Sequence, residues 1–267
     1  MTPRPVRFGR SSASLSISST AWLGWVIPGL LLTLWWMSSH FGWVDGRLLA
    51  PIEKVVMAPR DPVVQRLVAD GVLSSLWRNI LGGAIGSAAG LAFGVWLGLS
   101  PRADRMIGPS FHAFRQIAMF AWIPLFTAWF GIGETTRVLF IALAAFKPMA
   151  VNTQEGIRSV PSHYLEVGRA MCLSRWRLLS KVILPAALPS VLAGLQLAFI
   201  YAWLATIGVE TLVGFSKGIG SVLIEGQQHF RMEVVLFGIV LIGTIGFIFN
   251  MVVKRVSNRL LRWRMQA

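Results

Sequence analysis

The sequence predicts an all-α, polytopic membrane protein with six transmembrane helices, and three observations carry that expectation. Of 267 residues, 55% are hydrophobic and only 13% charged, with a mean hydropathy of +0.64. A soluble domain usually carries about a quarter charged residues. Apolar runs near the roughly 20 residues that a bilayer requires recur at about 22–40, 78–99, 107–130, 136–153, 186–209 and 234–254. The charges between these runs are biased in sign. With the N-terminus inside, fifteen Lys and Arg fall in inner segments and seven in outer ones, whereas three acids are inner and eight outer. That is the positive-inside pattern, and it places both termini in the cytoplasm. The net charge of +14 therefore reads as topology and attraction to lipid headgroups, with no soluble basic domain to engage nucleic acid.

Residues 1–20, a serine-rich stretch with Arg4, Arg7 and Arg10 and no acid, read as a disordered cytoplasmic tail; 21–267 form the membrane domain. No A-x-A-like cleavage site follows the first apolar run, so it reads as a retained helix and not a signal peptide. Residues 41–75 balance acids against bases and should lie outside the lipid, with at most a short surface helix. In the second span Gly82, Gly86, Gly90, Gly94 and Gly98 recur every fourth residue. They form a small-xxx-small ridge that lets another backbone approach closely. A short basic turn, Ser100–Arg105, leads to a third span interrupted by Arg115, Gln116 and Pro124. After a tight turn at Gly131–Thr135, the fourth span contains Lys147-Pro148. The fifth contains Pro189 and Gln196 and is closed by Glu210; a glycine-punctuated loop leads from it to the sixth. The chain ends on Lys254, Arg255, Arg259, Arg262 and Arg264.

Between the fourth and fifth spans lies a basic interlude, residues 159–185, whose spacing predicts two short helices. Pro161 suits a first helical turn, and Tyr164, Gly168 and Met171 share one face. Ser174 suits the N-cap of a second helix with Trp176, Leu179 and Ile183 as its apolar stripe. Pro185 is expected to end that helix. A pair too short and too basic to enter lipid reads as a docking piece for a cytoplasmic component.

Other chemistries find little support. Cys172 is the single cysteine, which excludes an intrachain disulfide and a cysteine-built metal site. The four histidines, His40, His112, His163 and His229, have no metal-ligand spacing. An intramembrane enzyme would need a Ser/His pair or two carboxylates at one depth, and the spans offer neither. Ionisable groups inside a span usually face a cavity or a protein interior. Lys147, near the midplane, would provide positive potential for an anionic solute, or else an internal ion pair or a reach to the headgroups. Arg115 and Gln116 lie near the inner face, where snorkelling is easy. Glu210 would gate or hold the following loop through Gly220, or simply be a solvated helix end.

The interlude resembles the EAA loop of ABC importer permeases. Glu166-Val167-Gly168 opens the motif, Cys172 follows at the turn, and Val182, Leu184 and Pro185 close it at the family's length. Ile123-Pro124-Leu125, Trp129-Phe130-Gly131-Ile132-Gly133, Asn152-Thr153, Gly194-Leu195, Val209-Glu210-Thr211 and Gly218-Ile219-Gly220 are similar to the nitrate/taurine/aliphatic-sulfonate group. The resemblance implies a type I importer bundle with cytoplasmic coupling helices in a bacterial inner membrane, working as a homodimer. Tyr164, Leu165, Glu166, Gly168, Arg169, Met171, Cys172, Leu184 and Pro185 would then couple to a separate cytoplasmic ATPase. ATP and Mg would be bound by that partner, since this chain has no G-x-x-x-x-G-K-[ST] motif, and the chain itself would be neither an enzyme nor a cofactor binder. A periplasmic or lipid-anchored binding protein would deliver the solute, and Arg115, Gln116, Lys147, Gln196 and Glu210 would line or gate its path. The group points to an aliphatic sulfonate or taurine, then to nitrate or a heterocyclic nutrient (pyrimidine- or riboflavin-like). A membrane scaffold without transport would leave Lys147 and the interrupted third span without a reason. Five positions depart from the pattern: Val167 and Gly168 replace two alanines, Cys172 the turn glycine, Ala118 a proline and Gln196 an arginine. A cysteine in glycine's left-handed conformation costs about 1 kcal/mol or more; otherwise the turn is rebuilt around an inert small residue.

Overall fold

The computed structural model describes residues 23–46, 49–213 and 217–260. The 1–20 tail, Arg47, Arg262 and Arg264 lie outside the described residues. The chain divides into two compact units, residues 1–52 and 53–267. In the first, α1 (Leu23–His40) exposes Ile27, Leu30, Leu31 and Leu32, as a lipid-facing helix would. Beyond it, Trp35 Nε1 donates to the Ala50 carbonyl at 3.1 Å.

Among its described residues, every regular element of the second unit is a helix. A short α2 (Ile52–Met57) leads through a 3₁₀ turn to α3 (Pro62–Leu99), one helix of 38 residues. Residues 62–75, expected outside the lipid with a short surface helix, are the first fourteen residues of this continuous helix. Asp61 caps α3 by accepting from the Val63 amide at 2.8 Å, Pro62 takes the first position, and no breaker follows before Ser100. Arg231 pairs with Asp61 at 2.8 Å. The Val63 amide and the Arg231 guanidinium together hold the Asp61 carboxyl below its ordinary value of 3.8.

The basic turn after α3 is likewise shorter than its sequence suggests. Ser100 alone separates α3 from α4 (Pro101–Gln116), and its hydroxyl accepts from Ala103 N–H at 3.2 Å. The third apolar stretch is broken at Ile117–Ala118, both extended, before a 3₁₀ turn (Met119–Trp122) and α5 (Ile123–Phe130). Pro124 does not interrupt anything: it occupies the first turn of α5, where its missing N–H has no role.

Helix α6 (Glu134–Arg158) runs parallel to α3 and along its glycine file. A Cβ on Gly90 would meet Phe146 O at 2.7 Å, one on Gly94 Ala150 O at 2.5 Å, and one on Gly98 the Ile157 side chain at 2.9 Å. A Cβ on Gly86 would run into the Ala142 carbonyl. Backbones this close leave no room for any larger residue. On its other side α6 packs antiparallel to α9 (Leu184–Leu212), whose Ala198, Ala202 and Ala205 are buried with Phe140, Ile141 and Met149. Being covered on two sides, α6 needs no continuous apolar surface. α3, the helical run Arg175–Leu212 and Met232–Arg259 are the described helices long and apolar enough to cross a bilayer alone.

The interlude forms α7 (Ser162–Ala170) and α8 (Arg175–Leu178), with Pro161 and Ser174 at their N-caps. Pro185 does not end the second helix. A π turn (Leu179–Ile183) precedes it, with Leu184 N–H donating to Leu179 O, so that Pro185 falls in the first turn of α9. Helix α10 (Ile219–Gln228) and α11 (Met232–Leu260) complete the chain.

Candidate functional site

The break between α4 and the 3₁₀ turn opens a cavity of about 420 Å³ against α6 and α9. Its polar lining is Arg115 and Gln116 from the end of α4, Lys147 and Asn152 from α6, and Tyr201 from α9. Lys147 Nζ donates to the Ile117 carbonyl at 3.1 Å and lies 5.0 Å from the centre of the Phe114 ring. An ammonium has three donors, so two remain for an occupant. Pro148 has no N–H for the helical bond to Ala144, which also lines the cavity. Asn152 Nδ2 returns to Pro148 O at 2.8 Å, which fixes the amide beside the opened turn. No carboxylate lines this space. Two fixed cations and neutral donors in a low-dielectric wall favour an anion or the acceptor end of a polar molecule.

Of the five residues expected along the path, the structure brings Arg115, Gln116 and Lys147 together. Gln196 does not join them; its Nε2 lies 3.4 Å from Asn250 Oδ1 on α11. Glu210 is also elsewhere. It is 1% exposed at the far end of α9 and accepts from Ser75 Oγ at 2.7 and 2.9 Å, Arg78 at 2.8 Å and the Gly220 amide at 3.0 Å. Arg78 in turn makes a two-pronged contact with Glu134 at 2.6 and 2.7 Å and donates to Lys217 O at 2.8 Å. Four elements are tied by this cluster: α3, the start of α6, the end of α9 and the start of α10. A Cβ on Gly218 would strike the Glu210 carboxylate, and one on Gly71 would lie 2.8 Å from Gly218 C and O. Ser75 and Glu134 carried no signal in the sequence. Tyr201 carried none either, being an aromatic in an apolar run.

At the opposite end of the bundle, Tyr164, Val167 and Met171 are exposed on α7 and line a groove of about 820 Å³ with Lys181 and Pro185. Glu166 and Arg169 are exposed, Leu165 and Leu184 half-buried. Gly168 lines the same groove as Tyr164 and Met171 but is buried at its floor, beneath Leu178. Cys172 keeps the left-handed turn at φ +50°. Its N–H donates to Arg169 O at 2.9 Å and Leu173 N–H to Gly168 O at 3.1 Å, the paired bonds of a Schellman cap.

Residues 86–262 match the family of binding-protein-dependent transport system inner membrane components. The chain is 32% identical over 241 residues to the aliphatic sulfonates transport permease protein SsuC of Bacillus subtilis, covering 90% of this chain and 87% of that one. It is 31% identical over 190 residues to the bicarbonate transport system permease protein CmpB of Synechococcus elongatus, covering 71% and 68%. Among solved structures, a chain of the MetNI methionine ABC transporter in inward-facing conformations superposes with a TM-score of 0.60 at 21% identity. That match covers 73% of this chain and 99% of that one, and shows a shared fold. With a helical bundle of this fold, a family match over most of its length and relatives of the same class, the chain belongs to the binding-protein-dependent transport system inner membrane components, the permeases of ABC transporters.

Proposed function

We propose that this permease conducts a small organic anion, an aliphatic sulfonate or taurine, through the cavity at the α4 break. The lining of that cavity carries the reading: Arg115 and Lys147 converge there, and no carboxylate opposes them. Relatives named for sulfonate and for bicarbonate transport support an oxyanion without choosing among oxyanions. The same reading places both termini in the cytoplasm, on the positive-inside bias. A cytoplasmic ATPase, which binds ATP and Mg, docks on the exposed face of α7, and an extracytoplasmic binding protein supplies the solute near the Glu210 end. A second copy of the chain closes the pathway, since one bundle leaves the cavity open on a side.

Uptake of radiolabelled ethanesulfonate into proteoliposomes holding the whole transporter tests the anion assignment. Lys147→Gln should lower uptake at least tenfold at equal membrane abundance, and Lys147→Arg should retain most of it. Unchanged uptake in Lys147→Gln removes the residue from the pathway. Competition by nitrate but not by short sulfonates would move the assignment to an inorganic anion.

A further inference from the structure

Helix α4 is fastened to α6 at both of its ends, and the fastening away from the cavity belongs to no site described above. Asp104, in the first turn of α4, bonds Arg158 Nη2 at 2.6 Å through one oxygen and Gln154 Nε2 at 2.6 Å through the other. Gly108, one turn further on, leaves room for this: a Cβ there would lie 2.9 Å from Asp104 Oδ1. Arg158 is the last residue of α6, and α7 begins four residues later. The far end of α4 is Gln116, followed by the Ile117 carbonyl that Lys147 holds at 3.1 Å. One helix of 16 residues, roughly 24 Å long, therefore joins the exit of α6 to the solute cavity.

We infer that Asp104 is a positioning residue which makes α4 follow the α6–α7 junction, so that motion of α7 reaches the cavity wall at Ile117–Ala118. The inference rests on the proposed docking of an ATPase on α7. Along the rest of its length α4 meets α3 and α6 through the phenyl groups of Phe93, Phe111 and Phe146. Apolar contact is non-directional and tolerates sliding, whereas two short bonds to one carboxylate fix register. Stability accounts for the Gln154 bond, since a buried amide needs a partner, and for little of the Arg158 pair. Arg158 is 43% exposed and Asp104 24%, and ion pairs so open to solvent contribute little. Gln154, by contrast, is 3% exposed and directs its amide at Asp104.

The test uses the intact complex purified on a tag carried by this chain, with a reporter cysteine at Ala118, which lines the cavity; Cys172 is kept, and its own reaction is measured in the complex without the reporter and subtracted. The rate of reaction of the reporter with a methanethiosulfonate is read with and without Mg-ATP and vanadate. Trapping should change that rate at least fivefold in the parent, and less than twofold in Asp104→Asn and in Arg158→Gln at equal abundance. The exchanged pair Asp104→Arg with Arg158→Asp should restore the response, because the Gln154 amide can present its oxygen instead of its nitrogen. A full response in both single variants overturns the inference, as does a loss that the exchange does not repair. A parent that ignores Mg-ATP overturns the docking proposal, and the role of Asp104 falls with it.

Discussion

The two ends of the bundle are built on opposite terms. At the Glu210 end, Arg78 and Glu210 are 4% and 1% exposed, and their charged groups are bonded to partners from four elements. At the α7 end, Met171 and Trp176 are 69% and 73% exposed, and the helix that leads back into the bundle passes through a π turn. The first end satisfies the charged groups of Arg78 and Glu210 within the chain. The second exposes Met171 and Trp176, with Met171 on the groove along α7. Even a shared device is used differently. Both α7 and α10 end in a Schellman cap with a non-glycine residue in the left-handed position, Cys172 at φ +50° and Phe230 at φ +52°. The difference teaches where each end keeps its contacts: the Glu210 end ties its charges within the chain, and the α7 end is the one on which the proposed docking would act.

The comparison can be broken most forcefully at Arg78. Arg78→Leu leaves the Glu210 carboxylate buried without its cation, and breaking one side of such a pair costs about 3–5 kcal/mol. Thermal unfolding of the detergent-solubilised chain should show the loss, and a stability like that of the parent would mean that the cluster is not a tie. A smaller effect of the other sign is expected at Cys172. Cys172→Gly relieves the left-handed penalty of roughly 1–2 kcal/mol, less the entropy that glycine adds to the unfolded chain, for a net gain of about 1 kcal/mol. The same measurement reads it. The smallest change should come from Val167→Ser, on the exposed face of α7, at under about 0.5 kcal/mol for the isolated chain. Its consequence is functional: copurification of the ATPase should fall several-fold. A large loss of stability with normal copurification would reverse the roles assigned to the two ends.

What could be read from the sequence, and what could not, follows the range of each interaction. The glycine file is a local pattern of period four with no other use, so its existence was legible. That it meets α6, running parallel, is tertiary and was not. Arg115 and Gln116 announced an interruption because charge in a span needs a reason. The break itself falls on Ile117 and Ala118, neither of which is a breaker, because Lys147 on another helix supplies the bond that steadies it. The partnership of Arg78 with Glu210 spans 132 positions, and no spacing rule reaches so far. Pro185 was misread for a physical reason: the expected stop assumes α-helical register, and one π turn shifts the proline to where it is tolerated. Gln196 was placed on the path because it stands in a span where the resembled group has an arginine. The direction in which it points was decided by Asn250 on α11.

The glycine file has a mechanical corollary. Between Gly82 and Gly98, along roughly 24 Å of helix, the glycines of α3 put no side chain against α6; they meet its backbone at Gly86, Gly90 and Gly94 and the Ile141 and Ile157 side chains at the two ends. Side chains are the compliant layer between ordinary helices, because rotamers can yield. Here α3 contributes none of that layer, so α3 and α6 are set to move as a single laminated strut. A push delivered to one extremity is not absorbed on the way; it arrives at the other as displacement.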